Sequence, residues 1–204
     1  MKEHWNERYQ ADTYAYGIAP NEFFAEKLEK LAPGFLLLPA EGEGRNAVFG
    51  AKLGWDVHAF DFSEKARIKA MALAKEEDVA FQYDIMSYED FELPEQAYDV
   101  IGLVFTHMPP DLRKIFHLKL INALKPEGII LLEGFHKTQL GRSSGGPKTD
   151  ALLFGEEELM EEFAALEIIS LEVGTRELDE GPFHQGEARL IQMVAHAPAE
   201  EETD

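Results

Sequence analysis

A short apolar run, Phe35-Leu36-Leu37-Leu38, leads into Glu41-Gly42-Glu43-Gly44-Arg45-Asn46-Ala47, and a helical pattern follows directly. A strand, a glycine turn and a helix in that order make the first unit of a parallel α/β sheet. Glycines at such a turn adopt backbone conformations that side chains resist, and they let the helix start close to the strand. Gly42 and Gly44 fall in the G-x-G-x-x-(G/A) spacing with Ala47 in its last place, and Asp61 closes the next apolar run about 20 residues further on.

The alternation continues along the chain. Pro20-Asn21 opens a helix with Asn21 as its cap and Phe24, Leu28 and Leu31 on one face, ended by Pro33-Gly34. After the strand over residues 35–38 comes a helix over 46–53, stopped at Gly54, then a strand over 56–60 and a helix capped by Ser63 and running to about Glu77. Further strands are predicted over 79–83, 98–105 and 128–133, with a helix from Pro109-Pro110 to Leu124 before the last of these. A loop over 136–149 precedes a helix with an acidic first turn, Glu156-Glu157-Glu158, and an apolar face of Leu159, Phe163 and Leu166. Residues 167–174 and 188–194 read as two strands with no helix between them, so they are expected to pair antiparallel. The fold class is α/β, a doubly wound, mainly parallel sheet, and ligands of such sheets bind beyond the carboxyl ends of the strands.

With 204 residues the chain has room for one domain, read as 1–198 with residues 1–33 as an N-terminal lid and helix and 199–204 as an acidic tail. A net charge of −20 repels a phosphate backbone, which argues against nucleic acid as partner. No apolar run is long enough to span a membrane or serve as a secretion signal, and there is no cysteine; both point to the cytoplasm and exclude thiolate chemistry. The histidines lack H-x-x-x-H spacing, so no metal is expected. Gly141-Arg142-Ser143-Ser144-Gly145 matches G-x-S-x-G but stands in a loop, not at the strand-to-helix elbow a serine hydrolase needs. Oligomeric state is not legible.

The glycine turn fits a dinucleotide or S-adenosylmethionine. A dinucleotide sets an anionic pyrophosphate against the turn and the helix N-terminus. Glu41 and Glu43 would repel that anion and attract the ammonium and sulfonium of S-adenosylmethionine. Asp61, at the strand end, is suited to accept from ribose hydroxyls in either case, with Arg45, Asn46 and Ser63 beside it. Asp84 is expected to meet the adenine amino group, with Phe62 and Ile85 as apolar walls and Phe105 bordering the cofactor. The alternatives are an NAD-dependent oxidoreductase and a non-catalytic S-adenosylmethionine-binding protein.

Residues 38–47 with Gly54 and Asp61 resemble class I S-adenosylmethionine-dependent methyltransferases, above all the small bacterial group similar to tellurite-resistance and thiopurine methyltransferases. Trp5-Asn6-Glu7-Arg8-Tyr9, Tyr16-Gly17, Leu124-Lys125-Pro126-Glu127-Gly128, Glu133-Gly134-Phe135, Gly145-Gly146-Pro147-Lys148 and His184-Gln185-Gly186 extend the likeness nearly end to end. Asn46 stands where the fuller pattern has a third glycine, and Glu127 interrupts a Lys-Pro-Gly-Gly turn. The resemblance implies a Rossmann-like seven-stranded sheet with an antiparallel seventh strand beside the fifth, and methyl transfer to a small-molecule acceptor such as a thiol or chalcogen oxyanion.

The acceptor is expected beyond the fourth and fifth strands, near Phe105, His107, Glu133 and His136, under a lid of Trp5, Tyr9, Tyr14 and Tyr16. His107 is the candidate general base, because imidazole titrates near neutrality. Arg113 and His184 are candidates to bind an anionic acceptor.

Overall fold

The three leucines of the first strand decide the layering. In a computed structural model, which describes residues 2–89 and 91–199, Leu36 and Leu38 pack into one apolar cluster and Leu37 into another on the opposite side of the sheet. Successive side chains of a strand point to opposite faces, so a strand apolar at every position is one covered on both. Leu36 and Leu38 meet Phe24, Leu28, Ala47 and Ala70 from the helices of one face, while Leu37 shares its cluster with Phe116, Leu120, Leu159 and Phe163 from the helices of the other.

The elements are α1 (Lys2–Arg8), α2 (Glu22–Leu28), β1 (Phe35–Pro39), α3 (Arg45–Lys52), β2 (Asp56–Asp61), α4 (Glu64–Glu76), β3 (Gln82–Ile85), β4 (Tyr98–Val104), α5 (Pro110–Ala123), β5 (Leu124–Phe135), α6 (Glu156–Glu162), β6 (Glu167–Asp179) and β7 (Gln185–His196). They build one seven-stranded sheet in the order β3-β2-β1-β4-β5-β7-β6. The β1–β2, β2–β3, β1–β4 and β4–β5 pairs are parallel, and β7 runs antiparallel to both β5 and β6. The doubly wound sheet with its antiparallel strand beside the fifth is thus the expected one. Strand order reverses between β1 and β4, and that is where a crevice opens on such a sheet.

The boundaries of four strands differ from expectation. The third strand begins at Gln82, because Asp78 takes a positive φ of 54° at the end of α4 and Val79 folds back, its N–H donating to Ala74 O at 3.0 Å. That moves Asp84 from beyond the strand into it, opposite Phe60. The fifth strand starts at Leu124, paired with Tyr98 across a register shift, and β6 and β7 run several residues further than their apolar cores. Most of the acidic tail, residues 200–204, lies outside the described residues.

Candidate active site

The glycine loop closes over the carboxyl end of β1. Gly44 takes φ +89°, and a Cβ there would stand 2.6 Å from the Ala70 Cβ of α4, so both conformation and space call for glycine. The Glu41 carboxylate lies across the first turn of α3, where its Oε1 accepts from the Asn46 N–H at 2.8 Å and the Ala47 N–H at 2.9 Å. Those amides are the groups with which a helix N-terminus holds a pyrophosphate; here a carboxylate already takes them. This favours a cationic ligand over a dinucleotide more strongly than charge alone.

Glu43 turns the other way. Its Oε2 accepts from the Ala15 N–H at 2.6 Å and its Oε1 pairs with Lys69, so it pins the N-terminal segment to the loop and its charge is compensated. Among the described residues, Glu43 is ion-paired through Lys69 whereas Glu41 is held by backbone amides and the Asn46 side chain. Burial pushes the Glu41 carboxyl up to about 7, against the lowering by its amide bonds. Asp61 accepts from the Ser63 N–H at 2.8 Å, the Gly42 N–H at 3.2 Å and the Tyr88 hydroxyl at 3.4 Å, and burial raises it to about 6. Ribose hydroxyls are the donors that would satisfy such a carboxylate.

One cavity of about 550 Å³ joins this loop to the ends of β1 and β4. Glu41, Glu43, Arg45, Asn46 and Asp61 line its first half. Trp5, Tyr9 and Tyr16 from the N-terminal lid line it as well, with the Trp5 and Tyr9 rings stacked 5.6 Å apart. Its second half is walled by Phe105, Phe135, Phe183 and His184 and by the 145–148 loop. Ala40 and Phe105, at the ends of β1 and β4, both take φ +55°. Strain of about 1–3 kcal/mol per such non-glycine residue persists where the surroundings impose it, and both flank the strand-order reversal.

His107 touches the cavity but is not free to take a proton. Its Nδ1 donates to Leu152 O at 2.7 Å, its Nε2 accepts from the Phe135 N–H at 3.0 Å, and burial lowers its pKa to about 3. The expected general base is a neutral strut between β5 and the 150–152 turn. Arg113 is likewise reassigned: it lies between α5 and α6, clamped on Glu162 at 2.8–3.0 Å, and does not reach the cavity. His136 sits between Thr138 and Glu156, outside the cavity lining. The Tyr14 hydroxyl donates to Lys69 O at 3.2 Å on the flank of α4 rather than joining the lid over the cavity.

The expected adenine subsite also differs. Asp84 accepts from Gln82 and bonds His58 on the sheet edge, Ile85 is exposed, and neither lines the cavity. Phe62 packs on Tyr88, and Ser63 caps α4, accepting from the Ala66 N–H and donating to Asn6. Glu133 lies beneath the site, bonded by Asn21 at 2.6 Å and by Gln192. Sequence reasoning missed Tyr88, which stands in a segment without periodicity, and Glu180, whose spacing of four from His184 in a Gly-Pro turn was the available signal.

Residues 39–128 match the family model for a methyltransferase domain, and no curated protein matches the chain. Among solved structures, one from work on the conversion of a disulfide bond into a thioacetal group during echinomycin biosynthesis is similar over 99% of this chain and 94% of its own, at 18% identity and a TM-score of 0.77. TehB from Haemophilus influenzae is similar over 96% of this chain and 66% of its own, at 16% identity and a TM-score of 0.71. For an S-adenosylmethionine-dependent methyltransferase from Methanosarcina mazei the shares are 83% and 95%, at 17% identity and a TM-score of 0.69. At such identities the structures speak for the fold; the matched segment contains the glycine loop and Asp61, whose geometry disfavours pyrophosphate. Residues 39–128 are thus similar to a methyltransferase domain, set in a sheet of the same fold as those structures, and the loop chemistry fits S-adenosylmethionine as the cofactor.

Proposed function

We propose that the chain transfers the methyl group to a small-molecule acceptor held in the aromatic half of the cavity. The observation that carries this is the roof. Trp5, Tyr9 and Tyr16 from the N-terminus and Phe183 from the β6–β7 turn close over a space of about 550 Å³, within the roughly 300–1,000 Å³ typical of small-ligand sites. A polymer side chain or base would have to displace those rings. S-adenosylmethionine supplies a methyl group on a sulfonium, ready for in-line displacement. Glu41, Asp61 and Asn46 stand where they can bind it, and the lid aromatics exclude water. Thiols and chalcogen oxyanions, the acceptors the family likeness brings forward, would need little or no general base from the protein.

The charge of −20 supports the same reading against nucleic acid. Among the described residues no helix is long and apolar enough to cross a membrane. Labelled S-adenosylmethionine offered with a panel of oxyanions, thiols, phenols and small acids tests the proposal, with Asp61→Ala as control. Label should pass to at least one member and vanish with Asp61→Ala. S-adenosylhomocysteine binding with no transfer to any acceptor would instead mark a non-catalytic binder.

A further inference from the structure

The turn between β6 and β7 puts a histidine in the cavity wall with a carboxylate bonded behind it, an arrangement that anion binding does not require. His184 Nδ1 lies 3.2 Å from Glu180 Oε2, and Glu180 is held in turn by Arg45 at 3.0 Å and Asn21 at 3.1 Å. The imidazole is packed against Tyr16, Phe105 and Phe135 at centroid distances of 4.4, 4.5 and 5.1 Å, which fixes its plane. With Glu180 accepting the Nδ1 proton, the Nε2 lone pair is left over, and among the described residues the hydrogen bond of this imidazole is the one through Nδ1. His107, the other histidine of this cavity, has both nitrogens committed.

We propose that His184 is the general base of the methyl transfer, with Glu180 as its positioning residue, and that the acceptor is a flat phenolic hydroxyl compound. The proposal rests on the methyl-transfer reading above. The aromatic walls Phe105, Phe135 and Phe183 suit a planar ring, and a phenol, unlike a thiolate or oxyanion, keeps its proton near neutrality. His184 Nε2 takes the hydroxyl proton as the oxygen bonds the methyl carbon and the carbon–sulfur bond breaks with its electron pair on sulfur. The proton then passes from His184 to solvent. Electrostatics agree: Glu180 is held down to about 2 by His184 and Arg45 against its burial, so it is ionised, and burial lowers His184, so the imidazole is neutral at pH 7. The other polar or charged groups that face His184 are Arg8, Arg45, Tyr16 and His107.

The test compares wild type with His184→Gln on 4-methylphenol and on 4-nitrophenol, the second supplied above its own pKa as the anion. Both proteins should show the same rise in melting temperature with S-adenosylhomocysteine, which reports cofactor binding and folding. At saturating cofactor, His184→Gln should lose about a hundred-fold or more in kcat on 4-methylphenol, the low end for a general base, and less than about ten-fold on the 4-nitrophenol anion. Wild-type kcat on 4-methylphenol should rise with pH through a value below 6.5 and then level, and that rise should be absent in the variant. Independently of turnover, the His184 imidazole resonances should titrate at lower pH in Glu180→Gln than in wild type, because Glu180 raises the histidine's affinity for a proton. Equal loss on both acceptors, no loss on either, or wild type that binds S-adenosylhomocysteine and methylates no phenol would each overturn the proposal. Absence of S-adenosylhomocysteine binding in wild type would strike the methyl-transfer reading beneath it.

Discussion

At the scale of single residues, two carboxylates in the cofactor half carry protons more readily than they would in water. Asp61 is raised to about 6 and Glu41 to about 7, burial being the first cause in both. A carboxyl raised in the folded state contributes stability that is complete below its unfolded value, about 4, and is lost as pH climbs through the folded one. The buried histidines His107, His117 and His184 are lowered and act in the opposite sense below 6.5, so the wild-type profile mixes both. The difference between variants separates them. Urea unfolding of the protein without cofactor at pH 5 and pH 8 should show Asp61→Asn losing less stability, or gaining more, than wild type over that interval. The expected difference is about 1–2 kcal/mol at about 1.4 kcal/mol per pKa unit. A parallel response of the two proteins would remove Asp61 as the titrating group.

Among elements, α5 and α6 are joined by a buried ion pair. Arg113 and Glu162 have side chains 1% and 2% exposed, His117 adds a bond to the same carboxylate at 2.7 Å, and the Arg113 guanidinium lies 5.3 Å from the Phe154 ring centroid. Removing one partner of such a pair strands a charge and costs about 3–5 kcal/mol. Arg113→Ala should therefore lower stability to denaturant by about that amount and leave S-adenosylhomocysteine affinity unchanged. An arginine serving the acceptor would instead show a raised KM at unchanged stability. The sequence could not separate these outcomes, because a lone arginine on a helix looks alike whether it faces a cleft or a neighbouring helix. The same limit applied to His107: its position after β4 was legible, but the backbone groups of Phe135 and Leu152 that fix it come from distant segments. The strand–turn–helix units were readable because apolar runs and glycines are local. Asp84 was misplaced because a three-residue error in a strand start changes which residues stand at its carboxyl end.

For the molecule as a whole, cofactor binding and folding are linked. A ligand that binds only the native state adds about 2.7 kcal/mol at a hundred times its Kd. For a chain of this length that corresponds to a rise in melting temperature of about 5–10 °C. S-adenosylhomocysteine should produce it, and NAD at the same concentration should produce none, because Glu41 already occupies the α3 amides. A rise with NAD alone would refute the loop argument.

The β6–β7 turn enters the cavity from the far edge of the sheet, while the cofactor loop and Asp61 come from its first two strands. Residues 180–184 lie outside the segment 39–128 that carries the methyltransferase-domain match. The two halves of the site are therefore written in separate stretches of the gene. On the proposed reading, substitutions at the hairpin tip would re-address the protein to a new acceptor while the methyl-donor half is inherited intact.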